Sequence, residues 1–244
     1  MGAELTLVTG ASSDIGFALL RALMTGTDHR VLAHAFRGLA KLSHLAEDFA
    51  GRIIPLQADL SNVTETLSFA ETVAGYGVPS AIVHLPALKL NYERFTKLKR
   101  ENFESDIAIQ LHAATVLLQR FLPQMAKLPR ARVIFMLSSV VHGVPPKFMA
   151  HYTVVKYAQL GLMRALAAEF AATSVRINAV SPSMVETQFL DNLSDLAIQG
   201  NAANSPLGRN AKPQDIIGAI QFLLSPASDY ISGIVLPIAG GVVV

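Results

Sequence analysis

Seven short apolar runs rich in β-branched residues, with longer helical stretches between them, constrain this chain more than any other feature. The runs are "ELTLVTG", "RVLAHA", "RIIPLQAD", "SAIVHL", "RVIFMLSS", "VRINAVSP" and "GIVLPIAG". Among the intervening helical stretches are "IGFALLRALM", "GLAKLSHLAEDF", "VTETLSFAETVAG" and "YTVVKYAQLGLMRALAAEFA". Such alternation implies right-handed βαβ crossovers, and hence a doubly wound α/β fold with a parallel sheet and helices on both faces. Strands covered on both faces read as unbroken apolar runs. The composition agrees, since 51% of the 244 residues are hydrophobic and only 16% are charged. That length suits one core, and no repeat, linker or low-complexity tract divides it, so residues 1–244 are expected to form one domain.

Several function classes drop out. A formal net charge of +2 argues against a dedicated nucleic-acid binder. The protein has no Cys, which removes disulfides and thiolate metal sites and fits a cytoplasmic protein. The greasiest segment, "YISGIVLPIAGGVVV", is broken by Pro and Gly and falls short of a membrane span. "MGAELT" formally fits a myristoylation pattern but opens directly onto the first strand, and no signal peptide is read. Seven His are scattered without ligand spacing, so no metal site is expected.

In doubly wound sheets, ligands sit outside the carboxyl ends of the strands. After the first strand stands "TGASSDIG". Gly10 permits a tight turn and Gly16 lets the next helix pack closely. Between them lie Ser12, Ser13, Asp14 and Ile15, and the helix start offers N–H groups to an anion. Asp14 is the surprise: a carboxylate where a bound diphosphate would prefer a glycine. Farther on, Tyr152 and Lys156 are four apart in "HYTVVKYAQLG", one helical turn on a common face. An ammonium there is expected to lower the phenol's pKa and make it a usable general acid or base.

With Ser139 at a strand end thirteen residues before Tyr152, the protein resembles the short-chain dehydrogenase/reductase family over nearly its whole length. "TGASSDIG" is similar to the family's glycine-rich turn, "LQADL" to its adenine-binding motif at Asp59 and Leu60, and "INAVSPSMVET" to the segment after strand six. "SPLGRNAKPQDI" and "YISGIVLPIAGG" resemble its C-terminal elements. The resemblance implies a Rossmann-type seven-stranded sheet and a Ser139–Tyr152–Lys156 catalytic set. Ser139 would hold a substrate carbonyl, Tyr152 would protonate its oxygen, and Lys156 would bind the cofactor ribose. Leu85, Pro86, Pro182, Val185 and Thr187 would line the cofactor cleft.

After strand two, "VLAHAFRG" offers no acid for a ribose 2′-hydroxyl but does offer Arg37, which suits a 2′-phosphate. NADP(H) is the expected cofactor, with NAD(H) not excluded. Three positions depart from the family pattern. Asp14 is one. "VHLPALK" replaces the usual NNAG segment, where Pro86 removes a backbone donor and His84 reads as a proton carrier or, more simply, as structural. Gln110 stands at the Asn whose bound water links the lysine to solvent.

Met184, Phe189, Leu190, Phe148 and Met149 give the expected entrance an apolar lining, which suits a hydrophobic ketone. Among family branches the sequence looks most like 3-oxoacyl-thioester reductases, with an acyl-carrier-protein or CoA thioester as substrate. Arg130 matches one carrier-docking arginine of that branch, and Thr173 stands where a second would be. A homodimer or homotetramer through the long helices is expected. The rival is a non-catalytic subunit that keeps the fold as partner in a hetero-oligomer.

Overall fold

The computed structural model of the protein describes residues 4–25 and 28–242. The N-terminal "MGA", on which the myristoylation pattern rests, and the last two residues of "GGVVV" lie outside the described residues.

Seven strands form one wholly parallel sheet in the order β3-β2-β1-β4-β5-β6-β7. They are β1 (Leu5–Thr9), β2 (Arg30–Ala35), β3 (Ile53–Gln57), β4 (Ala81–His84), β5 (Ala131–Met136), β6 (Val175–Pro182) and β7 (Val235–Ile238). All seven expected runs are strands, each no longer than the apolar run that announces it. Among the described residues eight α-helices accompany them: α1 (Asp14–Met24), α2 (Leu39–Glu47), α3 (Val63–Tyr76), α4 (Arg100–Ile107), α5 (Ala113–Met125), α6 (Ala150–Glu169), α7 (Asp195–Asn204) and α8 (Pro213–Leu224).

Side chains alternate across a strand, and the core divides accordingly. Leu7, Ile82, Val133, Phe135 and Ile177 pack with α3, α5 and α6 on one face. Val8, Val31, Val83, Ile134 and Val180 pack with α1, α2 and α8 on the other. The strand order reverses between β1 and β4, which opens a crevice at their carboxyl ends.

The stretch "SDIAIQLHAATVLLQ" is not one continuous α-helix. Between α4 and α5 the residues Ala108–His112 form a π-helical turn, and Ala113 N–H reaches back to Ala108 C=O. A π-turn releases carbonyls from the regular ladder. That of Gln110 is instead taken by side chains described below.

Candidate active site

The β1–α1 turn is built around two glycines that no other residue could replace. Gly10 has φ +71°, and a Cβ there would lie 3.0 Å from Pro86 N. At Gly16 a Cβ would sit 2.7 Å from Ala11 Cα and from two backbone oxygens. Ser13 caps α1, donating to Gly10 C=O at 2.8 Å and accepting from Gly16 N–H at 3.1 Å. Ser12 Oγ donates to Arg37 C=O at 2.9 Å, which brings the Arg37 loop against the turn. The first N–H groups of α1, those of Asp14 and Ile15, have no intrahelical acceptor. These donors, at a helix start that the glycines let pack closely on the sheet, fit a dinucleotide's phosphates.

His34, unmarked by any motif, supports this turn from below. Its Nδ1 accepts from Gly10 N–H at 3.1 Å and its Nε2–H donates to Ala58 C=O at 3.1 Å. Burial pushes its pKa down to about 4, against the Ala58 hydrogen bond and Asp59, so it is neutral with the proton on Nε2. Asp59 holds Ser61 through one carboxylate oxygen, and Leu60 is buried behind it.

Asp14 makes no pair with Arg37. Its carboxylate accepts the Gln188 backbone N–H at 2.8 Å, with Lys41 Nζ 3.9 Å away. Gln188–Leu190 is a 3-10 turn that follows the Pro182–Thr187 segment, within which Thr187 donates to Val185 C=O. Two further contacts hold this flap. Leu90 N–H donates to Phe189 C=O at 2.9 Å, and Lys89 pairs with Asp191 at 2.6 Å. Phe189 thereby lies over Tyr152, ring centroids 5.9 Å apart.

Tyr152 and Lys156 face inward on α6, both buried, with the ammonium 5.6 Å from the phenol ring centre. Burial raises the phenol to about 12; a hydrogen bond from Ser138 pulls it down and Asp106 pushes it up. The expected lowering by Lys156 does not appear: burial dominates, and Tyr152 is a neutral phenol with a proton to give. Lys156, by contrast, is pushed down to about 7 by burial, which Asp106 partly opposes.

The serine that hydrogen-bonds Tyr152 is Ser138, the chain neighbour of the expected Ser139. Counting thirteen back from Tyr152 runs across a loop with two prolines and with left-handed Gly143 and Phe148, so that count sets no register. Strand β5 does: Leu137 N–H still pairs with Val180 C=O, and Ser138 follows in extended backbone. Ser139 instead opens a 3-10 turn, its C=O accepting His142 N–H.

Comparison with known proteins gives the family. The family model described as enoyl-(acyl carrier protein) reductase matches residues 10–243. The 3-oxoacyl-[acyl-carrier-protein] reductase FabG of Thermotoga maritima is 27% identical, covering 99% of this chain and 98% of its own. The protein belongs to the short-chain dehydrogenase/reductase family. An L-rhamnose 1-dehydrogenase (NAD(P)(+)) of Azotobacter vinelandii is 29% identical over 98% of this chain and 96% of its own. A short-chain dehydrogenase/reductase structure from Brucella melitensis superposes with TM-score 0.87 at 24% identity, covering 99% and 97% of the two proteins. The protein is thus an NAD(P)-dependent type of oxidoreductase, and relatives of similar identity carry different substrate names.

Against the family pattern, the third departure reads differently in three dimensions. The Gln110 carboxamide does not touch Lys156. Its Nε2 donates to Asp106 at 2.9 Å, and its Oε1 is buried without a hydrogen-bond partner among the described residues. The Gln110 backbone carbonyl accepts from Gln159 Nε2 at 2.8 Å and from His84 Nε2 at 3.1 Å. His84 Nδ1 lies 2.9 Å from Thr9 Oγ1. A carbonyl only accepts, so His84 carries its proton on Nε2. Burial and the Lys156 charge push it down to about 3, which leaves it a structural link between β1, β4 and the π-turn rather than a proton carrier.

Of the expected entrance residues, Met149 and Leu190 are core, and Met184 packs against that core. Phe189 covers Tyr152, and Phe148 is exposed with φ +68°. The Phe148 carbonyl accepts Glu93 N–H at 2.8 Å, which closes the rim of the cleft. Arg130 is paired with Glu4 at 2.6 Å, and the Thr173 hydroxyl caps local backbone. Among the described residues no helix is long and apolar enough to cross a membrane, and no three His, Asp or Glu side chains cluster as metal ligands.

Proposed function

We propose that this short-chain dehydrogenase/reductase is an NADPH-dependent carbonyl reductase acting on a hydrophobic ketone, with a 3-oxoacyl thioester as the best candidate. The observation that carries it is the grouping of Ser138, Tyr152 and Lys156 across the crevice from the glycine turn. Gly10, the N–H groups of Asp14 and Ile15, Asp59, Leu60, Leu85 and Pro86 would hold the dinucleotide. Pro182, Val185 and Thr187 would flank its nicotinamide. Arg37, exposed and stacked on Phe36, has no carboxylate partner among the described residues and would meet a 2′-phosphate. A nicotinamide cofactor bound there supplies the hydride. Ser138 then orients the carbonyl and Tyr152 gives its proton to the oxygen. Lys156 holds ribose hydroxyls and returns the tyrosine's acidity by its charge. Phe189 and Phe148 favour an apolar substituent at the mouth over a sugar. In this role the protein works in the cytoplasm as one 244-residue domain, as a homodimer or homotetramer, and takes its substrate from a carrier protein or CoA.

Monitoring NADPH and NADH oxidation with a short 3-oxoacyl thioester and a panel of ketones tests the reading. Thioester reduction with NADPH preferred is expected. Tyr152→Phe should lose roughly 10²–10⁴-fold in turnover yet keep the thermal stabilisation that NADPH gives. Equal rates in wild type and Tyr152→Phe would refute the mechanism. A wild type with neither turnover nor NADPH stabilisation would mean that the protein is a non-catalytic partner.

A further inference from the structure

Position 159 lies on the inward stripe of α6, where Val155, Leu160 and Met163 are apolar core. A glutamine stands there instead, 1% exposed, and both ends of its carboxamide are engaged. Gln159 Oε1 accepts from Lys156 Nζ at 3.1 Å, while its Nε2 donates to the Gln110 C=O that the π-turn sets free. Lys156 Nζ also donates to Met136 C=O at 2.7 Å. Among the described residues no carboxylate lies within ion-pair distance of it. An ammonium has three N–H donors. With two fixed on Met136 and Gln159, the direction of the third is fixed as well.

We propose that Gln159 is a positioning residue of the reductase. It is a strut that ties the Lys156 ammonium to the π-turn and aims its remaining N–H into the crevice. The family resemblance implies a water on this side of the lysine, in contact with solvent. Here a carboxamide bridges the lysine and the Gln110 carbonyl directly. A carboxamide binds at both ends but neither takes up nor releases a proton near neutral pH, so the lysine is held without being wired to solvent through Gln110. The strut itself stands on a rigid footing, because His84 holds the same carbonyl from β4. The titratable groups around the lysine are Asp106 from α4, His84 from β4 and Tyr152 on α6; burial lowers the lysine's pKa and Asp106 opposes it. Gln159 adds to them a neutral oxygen that favours the charged form.

The inference rests on the proposed reductase activity for its meaning, but the strut can be measured without turnover. Two near-isosteric changes separate positioning from core filling: Gln159→Met removes the acceptor, and Gln159→Glu makes it anionic. In the apoprotein, burial of Lys156 makes the folded state bind fewer protons than the unfolded state between about pH 7 and the usual lysine range. Stability attributable to Lys156 therefore rises with pH across that window. Subtracting the same measurement in a Lys156→Met background isolates this contribution. The rise should start at lower pH in Gln159→Met and shrink in Gln159→Glu. In turnover, the alkaline limb of the pH profile should move down by about one unit in Gln159→Met, roughly a tenfold loss on that limb, and up in Gln159→Glu.

Lowered melting temperature with unmoved pH dependence in both variants would make Gln159 a core residue only and overturn the proposal. Should Gln159→Met fail to fold, the Gln159→Glu shift alone decides, and its absence overturns the strut. A wild type without turnover would remove the reductase reading, while the apoprotein shifts would still support or refute the strut.

Discussion

The two walls of the crevice are held by opposite means. The β1–α1 wall is backbone and small residues, partly open to water, and its shape depends on what is missing at Gly10 and Gly16. The β5–α6 wall is made of buried side chains: Lys156, Gln159, Gln110, Asp106 and His84 are joined by hydrogen bonds out of water, beside the buried Tyr152. On the first wall a charge such as Asp14 is tolerated because it finds an N–H at the surface. On the second, burial decides the state of each titratable group, raising Tyr152 and lowering Lys156 and His84. Shape should therefore dominate the effect of substitutions on one side, and charge on the other.

The sharpest break on the backbone wall is Gly16→Ala. A methyl 2.7 Å from backbone atoms cannot be relieved by a side-chain rotation. The expected loss is about 3 kcal/mol, at the upper end for overpacking, or a fall in Tm of roughly 6–12 °C for a protein of this size. Thermal denaturation measures it, and NADPH stabilisation should vanish with it. Wild-type behaviour would mean that the turn is not the cradle.

On the buried wall the largest single loss short of the tyrosine itself falls on Ser138. Ser138→Ala should lower turnover about a hundredfold with folding intact, and Ser139→Ala should stay within a few-fold. The reverse ranking, read by steady-state kinetics on the pair, would return the role to Ser139.

How far the sequence already showed these walls depends on what each feature is made of. The seven strands were legible because each is apolar on both faces, and the glycine turn because only glycine satisfies its geometry. The tyrosine and lysine were legible because a helix turns four residues into one face. Helix α7 fully buries none of its residues, so its pattern carried no signal. The expected Ser139 has a serine neighbour, and it is Ser138 that hydrogen-bonds Tyr152, a choice that depends on the backbone at the end of β5 rather than on spacing in sequence. Asp14 stood out in the sequence, but its partner Gln188 is 174 residues away, and only packing reveals it. Gln159 left a signal that was available, three residues after Lys156 on the same helix face. Asp106, likewise, stands four residues before Gln110.

Asp14 then tests whether the two walls communicate. Its carboxylate ties the cradle to the flap whose Phe189 covers Tyr152, so loosening it should act on both. Asp14→Asn keeps the size, weakens the bond to Gln188 N–H and removes a charge near the diphosphate site. NADPH is expected to bind tighter by between about threefold and a hundredfold, in line with about 0.7–3 kcal/mol for like charges near 6 Å, and the gain should shrink with added salt. Substrate KM should fall less than the cofactor Kd. Weaker NADPH binding would show that the carboxylate serves the cofactor rather than the flap.

The smallest effect expected, and the most diagnostic of burial, concerns Asp106. Burial raises its pKa, while the hydrogen bond from Gln110, the charges of His151 and Lys156, and the Leu88 N–H all act to lower it. The folded state therefore keeps this proton to higher pH than the unfolded state does. Stability from this group falls as pH rises through the interval between the two pKa values and stays lower above it. Asp106→Asn retains an oxygen for Gln110 Nε2 and removes the ionisation. It should raise Tm modestly at pH 8, with a gain that shrinks as the pH falls through the ordinary carboxylate range. The same exchange takes a favourable charge from Lys156 and should lower the alkaline limb of activity. Gain in stability with loss of alkaline activity would mean that this wall keeps a buried carboxylate for the lysine's charge at the fold's expense. A loss of both would place Asp106 among the residues that hold the π-turn together, and the contrast between the two walls would then be one of packing alone.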